Sequence, residues 1–333
     1  MAIFSQNARL LFLLSVLCVL SLTSTVSAQK KCRALVLQGG GDKGAYEAGV
    51  LYGLVNNTNS PQEYQYDVVT GVSVGSINGL CIAQYEKGQE LQAALDLVYF
   101  WGNVTKRDIY KPWKGGILEG LFFKPSLFNS SSEYTYLKSH VKGPPNKRMA
   151  SIVATDSKTG RKVVFTEQYW GDNIEKALNA IMFSSAVPFI FIPQSDGVNT
   201  YFDGGWSGEG LDVEDAILRC RQIADNDEDI IVDVIFAGNI TKVDVRKEGY
   251  TAMQMLGRYK NIHSYVSSNR TLAYAQGFYP EVNFRHVMVS SQKLPNQDVP
   301  LDFKAENIQF MINLGYKDAR TELSKRGELK QSQ

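Results

Sequence analysis

Histidine is scarce in this sequence: His140, His263 and His286 are the only three among 333 residues. A site built on imidazole must draw on those three. The chain also lacks C-x-x-C and H-E-x-x-H, so the expectation is metal-independent chemistry with no cofactor. Cysteine is nearly as rare, with Cys18, Cys32, Cys81 and Cys220, which excludes a disulfide scaffold. Neither sign of charge is in excess, with Lys+Arg at 35 and Asp+Glu at 34. Such a chain has no net basic field to hold nucleic acid or an anionic surface from a distance, and no nucleic-acid partner is expected. Past residue 22 no apolar run is long enough to span a bilayer. What remains is an ordinary globular balance, 44% hydrophobic and 21% charged, with material for one large core or two modest ones.

The N-terminus stands apart. A short polar start with Arg9 leads into an apolar run from Leu10 to Leu22, and Val26-Ser27-Ala28 supplies small residues at cleavage spacing. Residues 1–28 read as a secretory signal peptide cut after Ala28, with an uncleaved N-terminal anchor as the alternative, and cleavage would place the chain outside the cell or in the secretory lumen. Losing Arg9 takes Lys+Arg from 35 to 34, equal to Asp+Glu, so the mature chain is formally neutral. Three cysteines then remain. Cys32 with Cys220 is the expected pair, and Cys81 sits on a helix as a small apolar group. Asn56, Asn103, Asn129, Asn239 and Asn269 each open an N-x-S/T triplet, candidate glycosylation sites on a secreted glycoprotein.

Strand-like and helix-like stretches alternate. Arg33–Gln38 is a short apolar run ending in glycines, followed by a helical pattern over Ala45–Val55. Tyr66–Thr70 is strand-like, followed by helices over Ser76–Tyr85 and Glu90–Trp101. Met149–Thr155 and Lys162–Thr166 flank a hairpin-like turn. Helix Asn173–Phe183, strand Thr200–Phe202, helix Val213–Gln222, strands Ile230–Ala237 and Val282–Val289, and helix Asn307–Lys325 complete the series. The alternation predicts an α/β fold with a mainly parallel central sheet. Pro112–Ser132, rich in Gly, Pro and Ser, is expected to be a long surface excursion.

Gly71-Val72-Ser73-Val74-Gly75 lies between a predicted strand and a predicted helix. In that context G-x-S-x-G forms a sharp turn with the serine hydroxyl at its apex, beside the positive end of the next helix. Gly39-Gly40-Gly41-Asp42-Lys43-Gly44 follows the first strand. Its spacing fits G-x-G-x-x-G, but the acid that a ribose would need is represented only by Glu63, in a loop before the second strand. The other reading is an oxyanion hole, in which the N–H groups of Gly39, Gly40 and Gly41 join that of Val74. No histidine has an obvious catalytic setting. Asp203-Gly204-Gly205 offers a carboxylate after a short strand, able to take the serine proton directly.

These three elements, in this order, resemble the patatin-like phospholipase family, which carries a G-G-G-x-R/K-G loop, a G-x-S-x-G elbow and a D-G-G/A motif. GAYEAGVL (residues 44–51) and SSAVPF (residues 184–189) are similar to further family segments. The resemblance covers residues 32–207, with 208–333 as the continuation of the same domain. It implies a three-layer α/β/α fold with a mainly parallel sheet. It also implies a secreted lipid acyl hydrolase of the phospholipase A type, a carboxylic ester hydrolase. Ser73 is then the nucleophile and Asp203 the proton acceptor. Gly39, Gly40, Gly41 and Val74 form the oxyanion hole, with Lys43, Gly44, Gly71, Gly75, Gly204 and Gly205 as motif positions. Lys43 stands where Arg is more usual. After the D-G-G the family often shows Asn-x-Pro, where this chain has Leu211-Asp212-Val213. The alternatives are a catalytically silent storage or lipid-binding protein of the same fold, or a Ser-His-Asp esterase. The partner is a lipid substrate. Leu121-Phe122-Phe123 and Leu127-Phe128 are candidates to line an acyl groove or to make peripheral contact with a lipid surface.

Overall fold

Strand β1, Cys32–Leu37, alternates between two apolar surroundings. Leu35 and Leu37 enter one core, while Ala34 and Val36 enter a second. A strand buried on both faces belongs to a parallel sheet covered by helices on each side. The computed structural model describes residues 30–238, 244–296 and 301–331 and has that architecture. The signal segment 1–28 and Asn239 lie outside the described residues. Residues Lys31–Gln333 form one compact unit.

The further strands are β2 (Val68–Val72), β3 (Met149–Asp156), β4 (Lys162–Thr166), β5 (Gln194–Ser195), β6 (Thr200–Asp203), β7 (Ile230–Ile235) and β8 (Asn283–Met288). They form one eight-stranded sheet in the order β8-β7-β1-β2-β3-β6-β5, with β4 paired to β3. The pairs from β8 across to β3 are parallel, and β4, β5 and β6 pair antiparallel.

The larger core lies against helices α1 (Gly44–Asn57), α2 (Val74–Ala83) and α3 (Glu90–Asn103). Between α3 and β3 come α4 (Gly116–Phe123) and α5 (Ser131–His140); α6 (Ile174–Ser184) follows β4. On the opposite face lie α7 (Val213–Cys220) and α8 (Ala252–Phe278), contributing Ile217, Leu272 and Ala275. Helix α9 (Ala305–Arg326) returns to the larger core and packs on α1. This is the three-layer arrangement that the family resemblance implied. Among the described residues no helix is long and apolar enough to cross a membrane.

A disulfide joins Cys32 in β1 to Cys220 in α7. Cys81 is free and half-buried, and burial pushes its thiol up to about 12. Two stretches differ from the sequence expectation. The excursion after α3 contains α4 and a two-strand ribbon, Lys111–Pro112 with Phe128–Asn129. Helix α8 is 27 residues long. Its apolar side chains do not form one core-facing stripe, because Met255, Leu256, Tyr259 and Ile262 stay exposed, so its period is blurred in the sequence.

Candidate functional site

The register of β3 explains how two distant motifs meet. Strand β4 takes one edge of β3, from Ser151 to Thr155. The other edge is shared. Strand β2 runs parallel along it as far as Val72, opposite Val153. Strand β6 runs antiparallel along it and ends with Asp203 opposite Ala154. The two strands therefore meet end to end, and the residue after Val72 is Ser73. Gly204 sits in this junction: a Cβ there would lie 2.2 Å from the Val153 carbonyl oxygen and 3.1 Å from Val72 Cγ1.

Ser73 has φ 53° and ψ −122°, in the region that costs a non-glycine residue energy. Close backbone approach enforces the turn. A Cβ on Gly71 would lie 2.2 Å from the Gly75 oxygen, and one on Gly75 would lie 2.5 Å from the Leu37 oxygen. The Ser73 N–H donates to Ser184 Oγ at 2.8 Å, and the Ser184 hydroxyl donates to the Val153 carbonyl. Asp203 N–H donates to the Ala186 carbonyl at 2.9 Å. The SSAVPF segment thus braces both the serine and the aspartate.

Asp203 is buried, and that burial raises its carboxyl above the ordinary range. The facing Ser73 hydroxyl, the nearby Lys260 ammonium and the Gly205 N–H, which donates to Oδ1 at 2.9 Å, all favour the charged form. Lys260 comes from α8. Its ammonium lies 4.1 Å from the Trp206 ring centroid, and burial lowers its basicity.

The glycine loop stands beside the serine. A Cβ on Gly39 would lie 3.0 Å from Ser73 Cβ. Gly39, Gly40 and Gly41 line the same cavity as Ser73, Val74 and Asp203. Val74 opens α2, so its N–H lacks an intrahelical acceptor and carries the positive end of the helix dipole. A buried polar network fixes the loop to α2. Glu47 accepts from the Gln38 N–H and from Asn78 Nδ2, both at 2.9 Å. Asn78 Nδ2 also donates to the Gly44 carbonyl, and Trp101 Nε1 donates to Asn78 Oδ1 at 2.8 Å. Lys43 is buried at the cavity edge. Glu63, the acid a dinucleotide would need, pairs instead with Arg33 at 2.8 Å and does not line the cavity.

The cavity measures about 700 Å³. Ile77, Phe100, Trp101, Ile109, Phe191 and Phe303 give it an apolar wall, suited to a hydrocarbon chain. The aromatic clusters singled out in the sequence do not line it. Leu127 is buried, and Phe128 packs on Tyr110 with ring centroids 4.7 Å apart. Leu121, Phe122 and Phe123 face outward. Neither cluster is in the cavity wall: α4 leaves Leu121, Phe122 and Phe123 exposed, while Leu127 and Phe128, which follow α4, pack against the fold.

Two cavity residues carried no signal in the sequence. Lys260 comes from the long helix whose register the sequence blurred. Glu133, at the start of α5, is buried and lines the cavity with Asp203. Burial pushes its carboxyl up to about 8, and the Asp203 charge adds to the rise. At neutral pH Glu133 is protonated, so it does not repel Asp203. An unfolded glutamate titrates near about 4.3. Between there and about 8 the unfolded chain loses a proton that the folded chain keeps, so stability falls as pH rises across that window. The variant Glu133→Gln should show a smaller drop in thermal midpoint between about pH 5 and about pH 8 than the wild type. An unchanged drop would contradict a buried, protonated Glu133.

The histidines separate. His286 is buried, with Nε2 3.0 Å from the Tyr64 hydroxyl. His140 is half-buried, with Nδ1 2.9 Å from the Tyr136 carbonyl oxygen and its ring against Phe100. His263 does line the cavity, but among the described residues no hydrogen bond joins it to Ser73 or Asp203. After the D-G-G, Asp212 accounts for the departure at Leu211-Asp212-Val213. Its buried carboxylate pairs with Lys162 Nζ at 2.9 Å and accepts from Ser151 Oγ at 2.8 Å. Of the glycosylation triplets, Asn103 and Asn269 are exposed, while Asn129 is half-buried in the two-strand ribbon. Asn56 Nδ2 donates to the Tyr316 hydroxyl at 3.3 Å.

The sequence pattern of the family described as patatin-like phospholipase matches residues 35–217, more than half of the chain. No curated protein matches the chain. Among solved structures, VipD from Legionella pneumophila is similar at 12% identity with a TM-score of 0.41, over 91% of this chain and 69% of that one.

Proposed function

The chain belongs to the patatin-like phospholipase family, whose activity is hydrolysis of lipid acyl esters, and we propose that it performs this reaction through a Ser73–Asp203 dyad. The observation that carries the proposal is the end-to-end meeting of β2 and β6, which sets the strained serine against a buried carboxylate at the cavity. In this reading Asp203 accepts the hydroxyl proton as Ser73 Oγ attacks the ester carbonyl carbon. The N–H groups of Gly39, Gly40, Gly41 and Val74 receive the oxyanion. The C–O bond to the alcohol then breaks, and the alcohol leaves with that proton. Water, deprotonated by Asp203, cleaves the acyl-enzyme and releases the fatty acid. A raised carboxyl pKa brings Asp203 nearer the operating pH than an ordinary aspartate.

The substrate is a lipid with a fatty-acyl ester. The apolar wall accommodates the acyl chain, and Lys260 stands close to Asp203 on the polar side. We place the enzyme on the secretory route, a reading supported by the N-terminal apolar run and by the Cys32–Cys220 disulfide.

A Ser-His-Asp esterase is the second reading, favoured by the presence of His263 in the cavity. The purified chain, assayed against phospholipid, galactolipid and neutral glyceride, should release fatty acid from at least one class. His263→Ala should keep the wild-type rate within about threefold, below the loss expected for a general base. No fatty acid from any class would overturn the lipase reading. A loss of about a hundredfold or more in His263→Ala would replace the dyad with a triad.

A further inference from the structure

Helix α4 is exposed on the side where a soluble domain would normally place polar residues. Ile117, Leu118, Phe122 and Phe123 are 57%, 68%, 68% and 81% exposed. Leu121 is exposed beside them, and Glu119 is the one acid in the helix. Contiguous exposed apolar side chains of this size mark a contact surface.

The position of the helix points to the occupant. The ribbon that carries α4 is fastened to the cavity rim by two backbone bonds: Leu127 N–H donates to the Phe189 carbonyl at 2.9 Å, and Phe128 N–H donates to the Ile190 carbonyl at 3.1 Å. Phe189 and Ile190 line the cavity that holds Ser73, and Phe189 is itself exposed. These bonds hold the excursion that carries α4 beside the exposed Phe189 at the cavity edge. Its flanks are basic. Lys111, Lys114 and Lys124 are exposed on the same excursion; Lys124 Nζ lies 5.1 Å from the Trp113 ring centroid and pairs with Glu119 at 3.3 Å, which leaves the three lysines in excess over the one acid of α4. An apolar helix edged by lysines and an aromatic ring matches a lipid surface, with hydrocarbon beneath and phosphate at the level of the ammonium groups.

We propose that α4 is an interfacial anchor that seats the cavity mouth on an anionic phospholipid surface. The formally neutral mature chain supplies no long-range attraction, so the anchor depends on local burial of Phe122 and Phe123, aided by the three lysines. The inference rests on the reading of the cavity as a lipid hydrolase site, and two assays separate the two claims. The first is flotation of Ser73→Ala protein with vesicles of phosphatidylcholine and phosphatidylglycerol. The second is hydrolysis of a short-chain, water-soluble p-nitrophenyl ester by protein with an intact serine.

The double variant Phe122→Ser/Phe123→Ser, placed in the Ser73→Ala background, should lower vesicle partitioning at least about tenfold, given the area removed. With the serine intact, the same double variant should hydrolyse the soluble ester at the wild-type rate. Lys114→Gln/Lys124→Gln should weaken binding to the anionic vesicles and reduce its sensitivity to salt. Unchanged partitioning of the phenylalanine variant would overturn the anchor. So would a dimer in size-exclusion chromatography that the phenylalanine variant dissolves while vesicle binding persists, since α4 would then be an interface between copies. Failure of the wild type on the soluble ester would overturn the hydrolase reading and leave the vesicle result standing by itself.

Discussion

Replacing Ser73 with alanine should reduce fatty-acyl ester hydrolysis by a factor on the order of 10⁵, to the level the remaining site gives without a nucleophile. The fold should survive. The main-chain bond from Ser73 to Ser184 Oγ does not involve the hydroxyl, and the turn is imposed by the close approach at Gly71 and Gly75. Alanine shares the Cβ that serine already accommodates there. Asp203→Asn should cost about 10⁴ by analogy with the loss of a base or its orienting carboxylate in other hydrolases. An amide oxygen can still accept from the Gly205 N–H, now at 2.9 Å from Oδ1, so the local turn is kept while the proton acceptor is lost. Labelling by a fluorophosphonate probe checks the same assignment directly. Wild-type protein should be labelled and Ser73→Ala should not. Near-wild-type turnover by either variant, with an unchanged thermal midpoint, would remove the dyad.

Loss of the Cys32–Cys220 disulfide should cause a large fall in stability. The two cysteines are 188 residues apart in sequence. Closing so long a loop in the unfolded chain corresponds to about 5 kcal/mol in the chain-entropy picture. The link ties the first strand of the sheet to α7, both ends fully buried, so no surface rearrangement compensates for its loss. Cys32→Ala/Cys220→Ala should lower the thermal midpoint by on the order of 10 °C. Purified wild-type protein should keep its high midpoint only while oxidised, and on reduction should fall toward that of the variant. Equal midpoints with and without reductant would show that the bond adds nothing to the folded state. Finding the two cysteines reduced in protein purified from its native source would count against the proposed oxidising route.

Some of this was written in local sequence. The elbow at Gly71–Gly75 is legible because a G-x-S-x-G between a strand and a helix has few other conformations open to it. The near-continuous apolar runs at Arg33–Gln38 and Ile230–Ala237 mark strands buried on both faces, and from them follows the parallel sheet. The order of the glycine loop, the elbow and the D-G-G motif was enough to indicate the family. The expected Cys32–Cys220 pair is formed because β1 packs against α7.

Other features depend on which segments share an edge or a wall, and no local pattern encodes that. Ser73 and Asp203 are 130 positions apart, and they meet because β2 and β6 divide one edge of β3 between them. Glu133 reads as an ordinary first-turn acid of a helix. Only the closing of α5 against the cavity removes it from water and shifts its titration toward neutrality. Lys260 looks like a solvated lysine on a polar helix until α8 brings it over Trp206 and close to Asp203. The phenylalanines of α4 were visible as an apolar cluster, but sequence cannot tell a cluster turned inward from one turned outward. The sequence by itself determined the chemistry proposed for this protein, because the serine elbow, the carboxylate and the glycine backbone are local in character. The tertiary structure decided the environment of that chemistry, because burial, charge proximity and exposure arise only when distant segments pack together.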